Sequence, residues 1–257
     1  MSIRAAATAL GPRPRTAAVA SAYRIYLPWL ACIGLLVVTG LFITFVGGGL
    51  ENHPYRFLFE PTMVAIVAVA GGVGVHLASR TGFPAAWDRR VNTRMRFGYP
   101  LAIGAVFGVV AIVLDLTTGS IAFILDVTGG DRFNAPFPAS ILLYSGGAVV
   151  LEVIYRLLAI PVVLWIAFQL GLPERYRLIS FVILAVLTSL IEPLSQAEVA
   201  FEAGRYDLAY SQFALAFAGN LAQAYFFLRA GFLAAISVRL GNYAVWHVLY
   251  GGLICVC

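Results

Sequence analysis

The sequence contains no lysine. All 17 basic residues are arginine, set against 12 acids, and charged residues fill only 11% of the 257 positions. A soluble domain carries about 25%. Hydrophobic residues reach 61% and the mean hydropathy is +0.90. These values exclude a water-soluble enzyme, a disordered chain and a coiled coil. Without lysine there is no Lys nucleophile and no Schiff base. Cysteine is scarce as well: Cys32, Cys255 and Cys257 form no CxxC and no Cys/His cluster. A disulfide-stapled secreted domain and a structural zinc site are therefore not indicated. Nor do Cys255 and Cys257 stand where a prenylation motif needs its Cys, four from the end. The histidines are His53, His76 and His247, with no HExxH and no two on one helix face. No basic stripe interleaved with aromatics lies outside the loops, so the net charge of +5 is not a nucleic-acid signal.

Long apolar runs are what the sequence does have. Crossing a hydrocarbon core of about 30 Å takes roughly 20 helical residues, and backbone groups in lipid must be satisfied internally. The runs predict seven helices, at about 25–47, 61–79, 98–116, 138–170, 178–195, 209–228 and 231–254. No period-two alternation competes with them. The expected fold is an all-α, polytopic transmembrane helix bundle. Its first run, Ile25 to Val46, exceeds the 7–15 residues of a signal-peptide core. Residues 1–24 are read as a basic cytoplasmic tail and 25–257 as one transmembrane domain without an internal repeat.

Arginine placement orients the bundle by the positive-inside bias. Eleven arginines lie in the tail, the 80–97 loop and the 172–177 turn, whereas the opposite loops hold only Arg56, Arg132 and Arg205. Those opposite loops carry the acids Glu51, Glu60, Asp126, Asp131, Glu198, Glu202 and Asp207. The expectation is a cytoplasmic N-terminus in a multi-pass protein of the cytoplasmic (inner) membrane. The bilayer is its first partner, and another membrane protein or peptide a further one.

Ionisable residues at membrane depth are costly and mark functional sites by default. Five candidates stand out: Glu152, Arg156, Glu192, Arg229 and Arg239. Glu152 and Arg156 are spaced i, i+4 on one helix face, so they can neutralise each other as an internal pair. Glu192 precedes Pro193 and reads as a helix-end carboxylate. Arg229, beside the turn at Gly231, reads as an interfacial residue snorkelling to water. Arg239 requires a carboxylate or carbonyl partner. The run 138–170 is long, about 50 Å at 1.5 Å per residue, so it must tilt, project, or bend at Pro161.

The segment Gly146-Gly147-Ala-Val-Val-Leu151-Glu152-Val-Ile-Tyr155-Arg156 resembles the first motif of the CPBP (CAAX-protease and bacteriocin-processing) intramembrane proteases. That motif is two adjacent Glu, three residues, then Arg. Glu152 matches the second Glu and Arg156 the Arg, while Leu151 stands where the family places its water-activating Glu. The stretch from Leu157 to Trp165, the Ser79-Arg80-Thr-Gly82-Phe loop, and Tyr225-Phe-Phe-Leu-Arg229-Ala-Gly231 are similar to a bacterial branch of the same family.

The resemblance implies catalytic positions at Glu152, Arg156, Glu192, Arg239 and His247. It also shows substitutions there. Glu192 falls nearest the second-motif His. Counting from Gly231 puts Arg239 at the third-motif His and Tyr243 at its Asn or Asp; the other register makes His247 the motif His, with Gly251 following. Arginine neither serves as a base near neutral pH nor ligates a cation. The expected set is therefore a buried network of two carboxylates and two guanidiniums.

Four functions are compatible with these residues. The first is a degenerate homologue that binds membrane partners without proteolysis and carries no cofactor. The second is an active endopeptidase using Glu152, with Glu192 or His247 as helper, and only this one brings in zinc. The third is a small transporter or channel. The fourth is a structural subunit of a membrane complex, for which Ala70-Gly-Gly-Val-Gly74 and Gly104-Ala-Val-Phe-Gly108 allow close helix packing.

Overall fold

The computed structural model describes residues 22–50, 53–130 and 133–255. The tail up to residue 21 and the loop residues Glu51, Asp131 and Arg132, with Cys257, lie outside the described residues. The described residues form eight helices and no strand. They are α1 Ala22–Phe45, α2 Pro61–Arg80, α3 Tyr99–Thr118 and α4 Ser120–Thr128. There follow α5 Ala139–Gln169, α6 Arg177–Glu202, α7 Tyr206–Ala230 and α8 Phe232–Cys255. Six helices, all but α4 and α7, are long and apolar enough to cross a membrane. Their exposed side chains are those of a lipid-facing surface, among them Leu41, Phe45, Val106, Val113 and Ile183.

Two differences from the sequence reading concern helix number. The short helix α4 was not expected. It is set off by Gly119 and Gly129, both at positive φ, a conformation glycine adopts without steric cost. Seven apolar crossings were expected, but α7, at 25 residues, is not apolar enough to count among the six. The reason is its face of Gln212, Asn220 and Gln223, of which Asn220 and Gln223 are buried. Joined to α6 by the three residues 203–205, α7 runs back antiparallel along it.

Glycine sets the helix spacing. The ring of Trp29 occupies the place a side chain on Gly71 would take, and its indole N–H donates to the Ala68 carbonyl at 3.1 Å. This locks α1 onto α2. A methyl on Gly74 would strike the Leu157 carbonyl of α5. Methyls on Gly104 and Gly241 would strike the Val238 and Leu101 carbonyls, so α3 and α8 meet backbone to backbone. The small-residue runs at 70–74 and 104–108 thus pack within this chain.

The long helix α5 is not regular throughout. It changes from α to π geometry over Val153–Leu158, directly before Pro161. Proline lacks the N–H that would bond the carbonyl four residues back, here that of Leu157, the same carbonyl that Gly74 approaches. A π turn inside an α-helix relieves such a mismatch and is frequent at functional sites. A second correction concerns α6, which continues through Pro193 to Glu202. Glu192 is therefore mid-helix and buried, not a helix-end carboxylate.

Candidate functional site

A layer of polar side chains crosses the bundle where α5, α6, α7 and α8 meet. Glu152 is the last α-helical residue before the π turn of α5, and Arg156 lies within that turn. Ser189 and Glu192 come from α6, Asn220 and Gln223 from α7, Arg239 and Tyr243 from α8. All but Tyr243 are buried.

Arg239 is the hub of the layer. Its Nε donates to Glu152 Oε1 at 2.9 Å. Nη1 donates to Glu192 Oε1 at 2.8 Å and to the Tyr243 hydroxyl at 3.1 Å. Nη2 donates to Glu192 Oε2 at 2.8 Å, to Gln223 Oε1 at 3.0 Å and to Asn220 Oδ1 at 3.1 Å. All three nitrogens are engaged, and the fork onto Glu192 is bidentate, the strongest form of guanidinium–carboxylate contact. A second donor, Gln196 Nε2, reaches Glu192 Oε1 at 3.3 Å.

Arg156, in the same layer, is fully buried. Its Nη2 donates to the Asn220 carbonyl at 2.8 Å, to Asn220 Oδ1 at 2.9 Å and to Ser189 Oγ at 3.4 Å. Asn220 Oδ1 thus accepts from both arginines and holds two like charges on one oxygen dipole. The i, i+4 spacing of Glu152 and Arg156 predicts an internal ion pair, and they form one, with Arg156 Nε 3.9 Å from Glu152 Oε2, longer than a hydrogen bond. Glu152 takes Arg239 as its close partner instead.

Glu152, Arg156, Glu192 and Arg239 therefore share one network, whereas His247 does not belong to it. It lies eight residues further along α8, where its Nδ1 meets Asn134 Oδ1 at 2.6 Å and its ring stacks on Tyr144 at 4.2 Å between centroids. Tyr144 accepts from the Ala135 N–H at 3.0 Å. Gly251 leaves the space that Asn134 fills. His76 pairs with the Tyr26 hydroxyl at 3.1 Å. His53 caps a short turn through the Tyr55 N–H, and burial lowers its pKa. Arg229 is half-buried with Nη1 enclosed, so it does not simply extend into water. Among the described residues no three His, Cys, Asp or Glu side chains converge to hold a metal ion.

Sequence reasoning missed three things here. Asn220 and Gln223 are spaced i, i+3 on α7, and uncharged amides within a long helix were the available signal. Ser189 carried no signal. Asp115, at the end of α3, is buried and accepts from Ser120 Oγ at 2.9 Å, the Ile121 N–H at 2.8 Å and the Tyr250 hydroxyl at 2.9 Å. It ties α4 to α3 and to α8. On the exposed rim nearby, hydrogen bonds from Arg205 hold the Asp207 carboxyl below the usual range, and Arg205 also donates to the Thr118 carbonyl at the end of α3.

No family model, no curated protein and no solved structure matches this chain.

Proposed function

We propose that the chain is a non-proteolytic relative of the CPBP intramembrane endopeptidases, a multi-pass protein of the cytoplasmic membrane that acts by binding other membrane proteins or peptides. One observation carries the reading: Arg239, at the position the resemblance gives to a catalytic His, engages Glu152 and Glu192 together. Peptide hydrolysis requires a free base, an activated water and a polarised carbonyl. Glu152 Oε1 and both oxygens of Glu192 accept from the Arg239 guanidinium, so these oxygens are already occupied as acceptors. Leu151, where the family places its water-activating Glu, brings no proton acceptor at all. The charges within the layer balance, two against two, so the site is closed on itself rather than set to take a charged substrate.

The test is a cleavage assay on the full chain in lipid nanodiscs. Prenylated and unprenylated peptides serve as substrates, beside a Glu152→Gln variant and a determination of bound zinc. The expected result is no cleavage above background in either protein and no stoichiometric zinc. Cleavage by the wild type that disappears in Glu152→Gln overturns the reading in favour of an active glutamate-dependent protease.

A further inference from the structure

The polar layer is saturated on one side only. Around Arg239 every nitrogen has partners. On the other side Arg156 Nε, Arg156 Nη1 and Glu152 Oε2 are enclosed and have no hydrogen-bond partner among the described residues. The side chains that carry them are 0% and 1% exposed. An enclosed charged donor or acceptor without a partner is among the most costly features a fold can hold. Here two such atoms, Nε and Oε2, face each other across 3.9 Å.

We propose that this gap is a binding site for a buried water molecule, which accepts from Arg156 Nε–H and donates to Glu152 Oε2. The chemistry of the two walls selects water. A chloride or other anion could accept from the guanidinium but could not donate to the carboxylate, and would stand against its charge. A metal cation would meet the carboxylate but stand against the guanidinium. Water alone does both. With its oxygen about 2.8 Å from each atom, the angle at the water is about 90°, within hydrogen-bonding geometry. Arg156 Nη1 is the attachment point for a second water, and buried waters of this kind make about three bonds to groups otherwise unsatisfied. The bridging water is structural and not a nucleophile, since Glu152 stays bonded to Arg239 through Oε1. The inference holds whether or not the chain binds partners as proposed.

A density map of the wild-type protein in nanodiscs, at a resolution that shows ordered water, tests this without any variant. The expected result is a peak within hydrogen-bond distance of Arg156 Nε and Glu152 Oε2. A direct Nε–Oε2 contact shorter than about 3.2 Å, or a gap without density, overturns it. Magnetic resonance on arginine-labelled protein gives a second readout. A water cross-peak is expected at the Arg156 Nε–H and none at its Nη2 protons, which are bonded to Asn220; an Nε–H without water contact overturns the site.

Discussion

Arg239 grips Glu192 with both terminal nitrogens, each 2.8 Å from a different carboxylate oxygen, and turns its third nitrogen to Glu152. One guanidinium on α8 thereby ties α6 to α5. Only arginine has the planar fork for this, since a lysine ammonium is a point charge with no fixed fork.

Arg239→Leu leaves Glu192 without its paired counter-charge and Glu152 with only the 3.9 Å contact to Arg156. Breaking a buried pair by removing one partner costs about 3–5 kcal/mol. The expected outcome is a clear drop in thermal unfolding temperature in detergent and reduced yield. Arg239→Lys should fall between the two, because one ammonium cannot serve both carboxylates. Unchanged thermal stability in Arg239→Leu would remove the network from any role in holding the bundle.

Gly104→Ala places a methyl against the Val238 carbonyl, where backbone must move. Overpacking of this kind costs about 1–3 kcal/mol. Gly34→Ala on α1 meets open space, and replacing a mid-helix glycine there should stabilise by about 0.5–1 kcal/mol. Measured side by side, the two variants should shift unfolding in opposite directions.

Asp115→Ala removes the acceptor shared by Ser120, Ile121 and Tyr250. Hydrogen bonds to charged groups contribute about 1.5–3 kcal/mol. The expected effect is local: faster proteolysis between α3 and α5, with a smaller change in global unfolding. Equal protease sensitivity in variant and wild type would show that α4 is held by its apolar contacts alone.

With the native Cys32, Cys255 and Cys257 replaced, Arg89→Cys and Asp207→Cys each place one exposed thiol, at opposite ends of the bundle. If the arginine bias orients the chain as read, a membrane-impermeant thiol reagent added to intact cells should label the second and not the first. The reverse pattern would invert the topology.

Most of the fold is legible from apolar run length alone, because a bilayer imposes one length on every crossing. The places where sequence reasoning failed share a cause: each was decided by neighbours. Pro193 looks like a helix end, yet α6 passes through it inside the packed bundle. Glu152 and Arg156 form the ion pair their spacing predicts, but at 3.9 Å, while the close contact of Glu152 goes to Arg239 from another helix. The four charged positions could be singled out because charge is rare in this chain. Asn220 and Gln223 were hidden because amides are cheaper to bury and do not stand out in a hydropathy reading.

The amide face of α7 has a consequence for how the molecule is made. Presented alone to lipid, Asn220 and Gln223 would face hydrocarbon with nothing to bond, which disfavours insertion of the helix by itself. Their partners are Arg156 on α5, already emerged from the ribosome, and Arg239 on α8, not yet synthesised. Asn220 Oδ1 accepts from both arginines and Gln223 Oε1 from Arg239, so the amide face of α7 has its full set of partners only once α8 is in place.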